Sequence, residues 1–233
     1  MYTVRDLVTQ CKRNGFALTN KYTMSRYIGD GILQQIYYGD HDHVWIGLTS
    51  MFADLPPIFW ESKVPFTTYL PKHLHGLSVP PCEDNSLKEE DISLLINGGL
   101  TVLNNITTQE KLVQFAIHTN LVQGKSQHLH NNRFWGAYIK CGMMDELMNE
   151  VCYEYTDISE GFRRTKSNNS FLEKRQYDNF ISKYLVLNEK LSSVSSLWHA
   201  LLLKEYDCLE QYVQTNLIHN LEQIRARNIP IID

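Results

Sequence analysis

From Val4 the apolar positions follow helical spacing. Val4, Leu7, Val8 and Cys11 share one face, Thr3 can cap the start, and Gly15 can end the helix. The pattern then shortens to a period of two. Residues 22–28 (YTMSRYI) and 31–38 (GILQQIYY) flank Gly29-Asp30, a pair suited to the positive φ values of a tight hairpin. In 44–52 (VWIGLTSMF), Val44, Ile46, Leu48 and Phe52 fall on one face, which predicts a half-buried antiparallel strand. Residues 53–85 hold six of the seven prolines, so a long meander is expected, with one edge strand around Phe66–Leu70.

After Pro81 the helical period returns. Ser86 with Glu89 makes a capping box ahead of Ile92, Leu95, Ile96, Gly99 and Leu103, a stripe that Gly98-Gly99 weakens or breaks. Thr107 with Glu110 is a second box, opening the helix LVQFAIHTNLV. Residues 133–141 and 143–155 predict a helical hairpin hinged at Gly142. The stretch 157–170 reads as a mobile polar loop, and Tyr177, Phe180, Ile181, Tyr184 and Leu191 mark another amphipathic helix. A last pair spans 194–204, with Leu197, Leu201 and Leu202, and 207–226, with Leu209, Val213, Leu217, Leu221 and Ile224.

Strands followed by helices define an α+β protein: an N-terminal helix and small antiparallel sheet packed on a C-terminal array of helical hairpins. No repeat period recurs, so a solenoid is not expected. The segments 1–85 and 86–233 are expected to form a single cooperative unit over 1–233. The strand 31–38 is apolar on both faces, with Ile32, Ile36 and Tyr38 on one and Leu33 and Tyr37 on the other. One face can take the N-terminal helix; the helices after Ser86, with Ile92, Leu95, Ile96 and Leu103 in the first and Leu112, Phe115 and Ala116 in the second, are expected to cover the other.

Composition narrows the classes. The formal charge is -4 over 233 residues, with -1 on 1–85 and -3 on 86–233. Neither part matches phosphate, which disfavours a nucleic-acid partner. No apolar run reaches the roughly 18 residues of a membrane span, and Arg5 and Asp6 interrupt any signal-peptide core; a cytoplasmic protein with no membrane partner is expected. Cys11, Cys82, Cys141, Cys152 and Cys208 are odd in number and lack CxxC spacing, which points to reduced thiols.

Four stretches resemble a bacterial family of uncharacterised α+β proteins. CKRNGFALTNKYTMSRYIGDGILQQIYY is similar to its opening helix and sheet, and GGLTVLNNITTQEKLVQFAI to its next two helices. FWGAYIKCGMMDELMNEVCYEY looks like its helical hairpin, and SLWHALLLKEYDCLEQYVQTNLIHNLEQI like its closing pair. The resemblance covers most of the chain, with 156–193 as an addition. It implies the same order of elements and brings no catalytic residue with it.

Candidate chemistry is sparse. Six of the nine histidines form H-x-H pairs: His41 with His43, His73 with His75, and His128 with His130. On a strand, i and i+2 share a face, so His41 and His43, flanked by Asp40 and Asp42, could present ligands to one metal. All three pairs read as loops, however, and spacing without context does not make a metal site. There is no nucleophile elbow and no phosphate-binding loop, and the acidic neighbours of Cys82 disfavour a thiolate. The aromatics Tyr37, Tyr38, Trp45, Phe59, Tyr69, Trp135 and Tyr138 read as the junction core between sheet and helices. Trp60, beside Glu61 in a proline-rich segment, is the candidate exposed anchor, and Arg163 with Arg164 is a candidate contact for an acidic partner. The reading that follows is a module that binds another protein, with no cofactor and no metal; a toxin-neutralising immunity protein would be one such case. The alternative is a metal-dependent enzyme built on the H-x-H pairs.

Overall fold

The computed structural model describes residues 2–38, 45–53, 67–68, 89–122, 134–167 and 191–232. Helix α1 (Val4–Arg13) starts where the sequence places it. Thr3 and Asp6 cap each other, the Asp6 N–H donating to Thr3 Oγ1 and the Thr3 N–H to Asp6 Oδ2. Leu7 and Cys11 are its buried stripe, and Gly15, at φ +80°, turns the chain.

The sheet holds β1 (Ala17–Asn20), β2 (Thr23–Ile28), β3 (Ile32–Tyr37), β4 (Trp45–Ser50) and β5 (Thr67–Thr68), antiparallel and in chain order. The expected strands are present, β5 inside the expected edge segment; β1 is additional. So is β6 (Ile231–Ile232), which pairs in parallel with Tyr27 and Ile28 on the edge that short β1 leaves open. The N–H groups of Tyr27 and Gly29 donate to Pro230 and Ile232 carbonyls, both at 2.8 Å. The β2–β3 connection is a three-residue loop, because Ile28 pairs with Ile32. The positive φ expected at Gly29-Asp30 falls instead on Gly31, at +80°, the left-handed position such loops require.

Met24, Ile36 and Ile46 are cross-strand neighbours on the face covered by α1. The first helices after residue 88 pack on that same cluster through Ile92, Leu95, Leu103, Leu112 and Ala116, with Phe115 partly buried against it. They do not cover the second face. There Tyr27, Leu33 and Met51 meet Ile224 and Ile229 from the end of the chain, with Leu217 and Leu221 alongside. The cover expected from the first helices after the sheet comes from the last one.

Helix α2 (Glu89–Leu94) passes through a π turn (Leu95–Gly99) into α3 (Leu100–Asn105). The two glycines relax the helix without ending it, and both are buried. Helix α4 (Gln109–Val122) begins one residue later than its capping box implied: Thr108, rather than Thr107, accepts from the Lys111 N–H. Helix α5 (Trp135–Lys140) turns at Gly142, φ +69°, into α6 (Met144–Ser167). The hairpin stands, but α6 is much longer than 143–155. Residues 157–167, read as loop, continue the helix, because polarity alone does not stop a helix that lacks proline. Residues 191–203 form α7, and α8 is Tyr206–Ala226. Ser86 of the Ser86–Glu89 box, the proline-rich meander on either side of β5 and the segment 168–190 lie outside the described residues, while Glu89 opens α2.

Short α5 is central, packing on α4, α6 and α8. Beside it, the turn Met51–Phe52–Ala53 is gripped by α8. The Asn220 amide donates to Met51 O at 2.9 Å and Ala53 O at 3.1 Å, and the Asn216 amide donates to Phe52 O at 3.3 Å. These bonds satisfy buried carbonyls that the turn leaves unpaired.

Candidate functional site

Of the residues singled out from sequence, Asp40, His41, Asp42, His43, Trp60 and Glu61 lie outside the described residues, as do the other two histidine pairs. Arg163 is exposed on α6, and Arg164 follows it in that helix rather than in a loop. Among the described residues, no group of three or more His, Cys, Asp or Glu is placed to hold a metal ion. Also among them, no helix is long and apolar enough to cross a membrane.

Two polar centres are structural. Arg26, 6% exposed in the sheet, donates through Nε to Gln34 Oε1 and through Nη2 to Asn104 Oδ1, both at 2.8 Å. Its Nη1 donates to Asn14 O at the C-terminal end of α1, and its guanidinium stacks 4.3 Å from the Phe16 ring centre. Burial draws that guanidinium down to about 10. Gln34 in turn donates to Leu103 O and Ile106 O, capping α3 from the sheet. With all three of its nitrogens occupied, Arg26 is a post between sheet and helices.

The second centre borders a cleft of about 430 Å³ lined by Asp30, Thr108, Gln109, Glu110, Lys140 and Cys141, among others. The Asp30 carboxylate accepts from the Gln109 N–H at 2.7 Å, filling the N-terminus of α4 from within the chain. The Gln109 side chain donates to Asp30 O and Gly31 O, locking the β2–β3 loop to that helix. Burial, then Glu110 and Asp30, push the Cys141 thiol up, which disfavours a thiolate there.

Cys11 gives a pH test of the core. Burial raises its thiol from 9.0 to about 12, and no part of it is exposed. The unfolded chain releases this proton near pH 9 while the folded chain keeps it. Stability from this group is therefore complete below pH 9 and falls as pH rises toward 12, by about 1.4 kcal/mol per unit. Urea melts between pH 8 and 11 should show a steeper alkaline loss for the native chain than for Cys11→Ala. Equal slopes would show that the thiol ionises freely.

The strongest candidate site is the tip joining α7 to α8. Leu202, Leu203 and Tyr206 are 57%, 68% and 58% exposed, within an unbroken run of exposed residues from 202 to 208. The turn itself is ordered. The Glu205 N–H donates to Ala200 O at 2.9 Å and the Lys204 N–H to Leu201 O at 3.3 Å, a Schellman closure around Lys204 at φ 55°. The chain spends a left-handed lysine here, where glycine is the usual residue. Lys204→Gly should stabilise the protein by about 1 kcal/mol in chemical denaturation. A loss of stability would show that the lysine side chain holds the turn.

Helical spacing puts Leu202 with Leu197 and Leu201 on one stripe; those two are buried, and Leu202 is not. The signal was available in Leu201-Leu202-Leu203. Successive helix positions turn by about 100°, so three leucines in a row cannot all face one core. No protein-family model, curated protein or solved structure matches the chain. The resemblance to the bacterial α+β family therefore rests on its own four stretches of sequence.

Proposed function

We propose that this chain is a cytoplasmic protein-binding module, of the kind to which toxin-neutralising immunity proteins belong, and that it engages its partner through the α7–α8 tip. The observation that carries this reading is the exposure of Leu202, Leu203 and Tyr206 together on an ordered turn. An ordered turn loses little backbone freedom on binding, and each large apolar side chain contributes about 1.5–3 kcal/mol when covered. Cys11, Cys141, Cys152 and Cys208 are free thiols, which suits a reducing compartment. Arg163, exposed on α6, is a second contact point in this reading.

The test is a double substitution, Leu202→Ser/Leu203→Ser, compared with the native chain in retention of binding proteins from the cell of origin. Both side chains are exposed, so the melting temperature should hold within a few degrees, while retention should fall at least about tenfold. Equal retention by the variant, or none by the native chain, would sink the reading.

A further inference from the structure

Charge around the tip says what kind of protein surface fits it, an inference that rests on the binding reading above. Glu205, Asp207 and Glu210 are exposed beside the three apolar side chains, and Lys204 is the single cation between 202 and 210. Asp207 sits in the first turn of α8, where the helix dipole favours an acid. Glu205, the N-cap of α8, meets the same dipole, which does not account for Glu210, one turn beyond Tyr206 on the same face. On the α7 side, the exposed neighbours Ser192, Ser196 and His199 include no carboxylate. The tip is thus an apolar knob with an acidic margin on its α8 side.

We propose that the partner is a protein presenting an apolar helix face bordered by Lys or Arg side chains on the side that meets α8. An acidic margin repels an anionic membrane surface and nucleic-acid phosphates. It also disfavours a second copy of this chain, since two tips meeting would oppose three carboxylates to three with one lysine each. A basic border supplies the complementary potential, steers the encounter and leaves the leucines and Tyr206 to be buried.

Two synthetic amphipathic helical peptides with the same leucine face, one with lysines and one with glutamates on the polar face, serve as probes. Fluorescence anisotropy is measured against the full chain, against Leu202→Ser/Leu203→Ser, against Glu205→Gln/Asp207→Asn/Glu210→Gln, and against Glu90→Gln/Asp145→Asn/Glu222→Gln, which removes equal charge elsewhere. The lysine peptide should bind the native chain at least about tenfold tighter than the glutamate peptide and weaken as salt rises from about 50 to about 300 mM. That preference should vanish when the tip carboxylates are neutralised and survive when the distant ones are. Binding of both peptides should be lost with the leucines. Equal binding of the two peptides, lost only with the leucines, would overturn the basic border and leave the binding reading standing. No binding by either peptide, binding that survives loss of the leucines, an equal effect of the distant neutralisation, or self-association of the native chain at the probe concentration would overturn this proposal.

Discussion

Gly136→Ala should destabilise the protein by more than about 3 kcal/mol, the reverse of what the same change does in an ordinary helix. Within a helix, glycine to alanine normally gains about 1 kcal/mol, because alanine loses less backbone freedom on folding. Position 136 lies inside α5, so propensity alone predicts a gain. Space decides otherwise. A Cβ there would lie 2.7 Å from Phe52 Cβ and still closer to the Phe52 carbonyl carbon and oxygen. Backbone cannot rotate away as a side-chain tip can, and this backbone is pinned by Asn216 and Asn220 from α8. Overpacking of this kind costs about 1–3 kcal/mol when the core can shift, and more when it cannot. Gly142→Ala is the control. Nothing lies within 4 Å of its added Cβ, but its φ is +69°, so only the left-handed backbone penalty of about 1 kcal/mol applies. Urea denaturation of the two variants separates the mechanisms. A Gly136→Ala protein as stable as the native chain would show that α5 and the Met51–Ala53 turn do not meet as described.

The segment 1–85, expressed alone, should be unfolded or aggregated. Its sheet depends on the rest of the chain on both faces and along one edge. On one face, Met24, Ile32, Ile36 and Leu48 would lose Ile92, Leu95 and Leu103; on the other, Tyr27, Leu33 and Met51 would lose Ile224 and Ile229. The edge N–H groups of Tyr27 and Gly29 would lose β6, and the Gln34 amide would lose the carbonyls of Leu103 and Ile106. Several apolar contacts at about 1.5–3 kcal/mol each already match the whole stability of a small domain, about 5–15 kcal/mol. A dispersed amide spectrum with a sharp unfolding transition for 1–85 would show that the sheet is an independent domain.

Elements whose signals are local were legible in the residues themselves. The Thr3 cap, the Leu7–Cys11 stripe, the β2–β3 hairpin, the β4 alternation and the turn at Gly142 each come from residues within a few positions of one another, where sterics and period act directly. The α+β class follows from their order. The arrangement of partners was not legible, because distant segments supply it. Two residues at 231–232 carry no strand pattern, and only the free half of β2 makes them a strand. Leu33 announced that its face needed a cover without saying that α8 would provide it. The polar tail of α6 lacked an apolar stripe yet remains helical, since propagation needs no partner on every turn. The tip was misread for the same reason. Period shows that Leu201, Leu202 and Leu203 point in different directions, but which of them meets the core depends on where α7 and α8 pack. That packing buried Leu201 and left Leu202, Leu203 and Tyr206 in water.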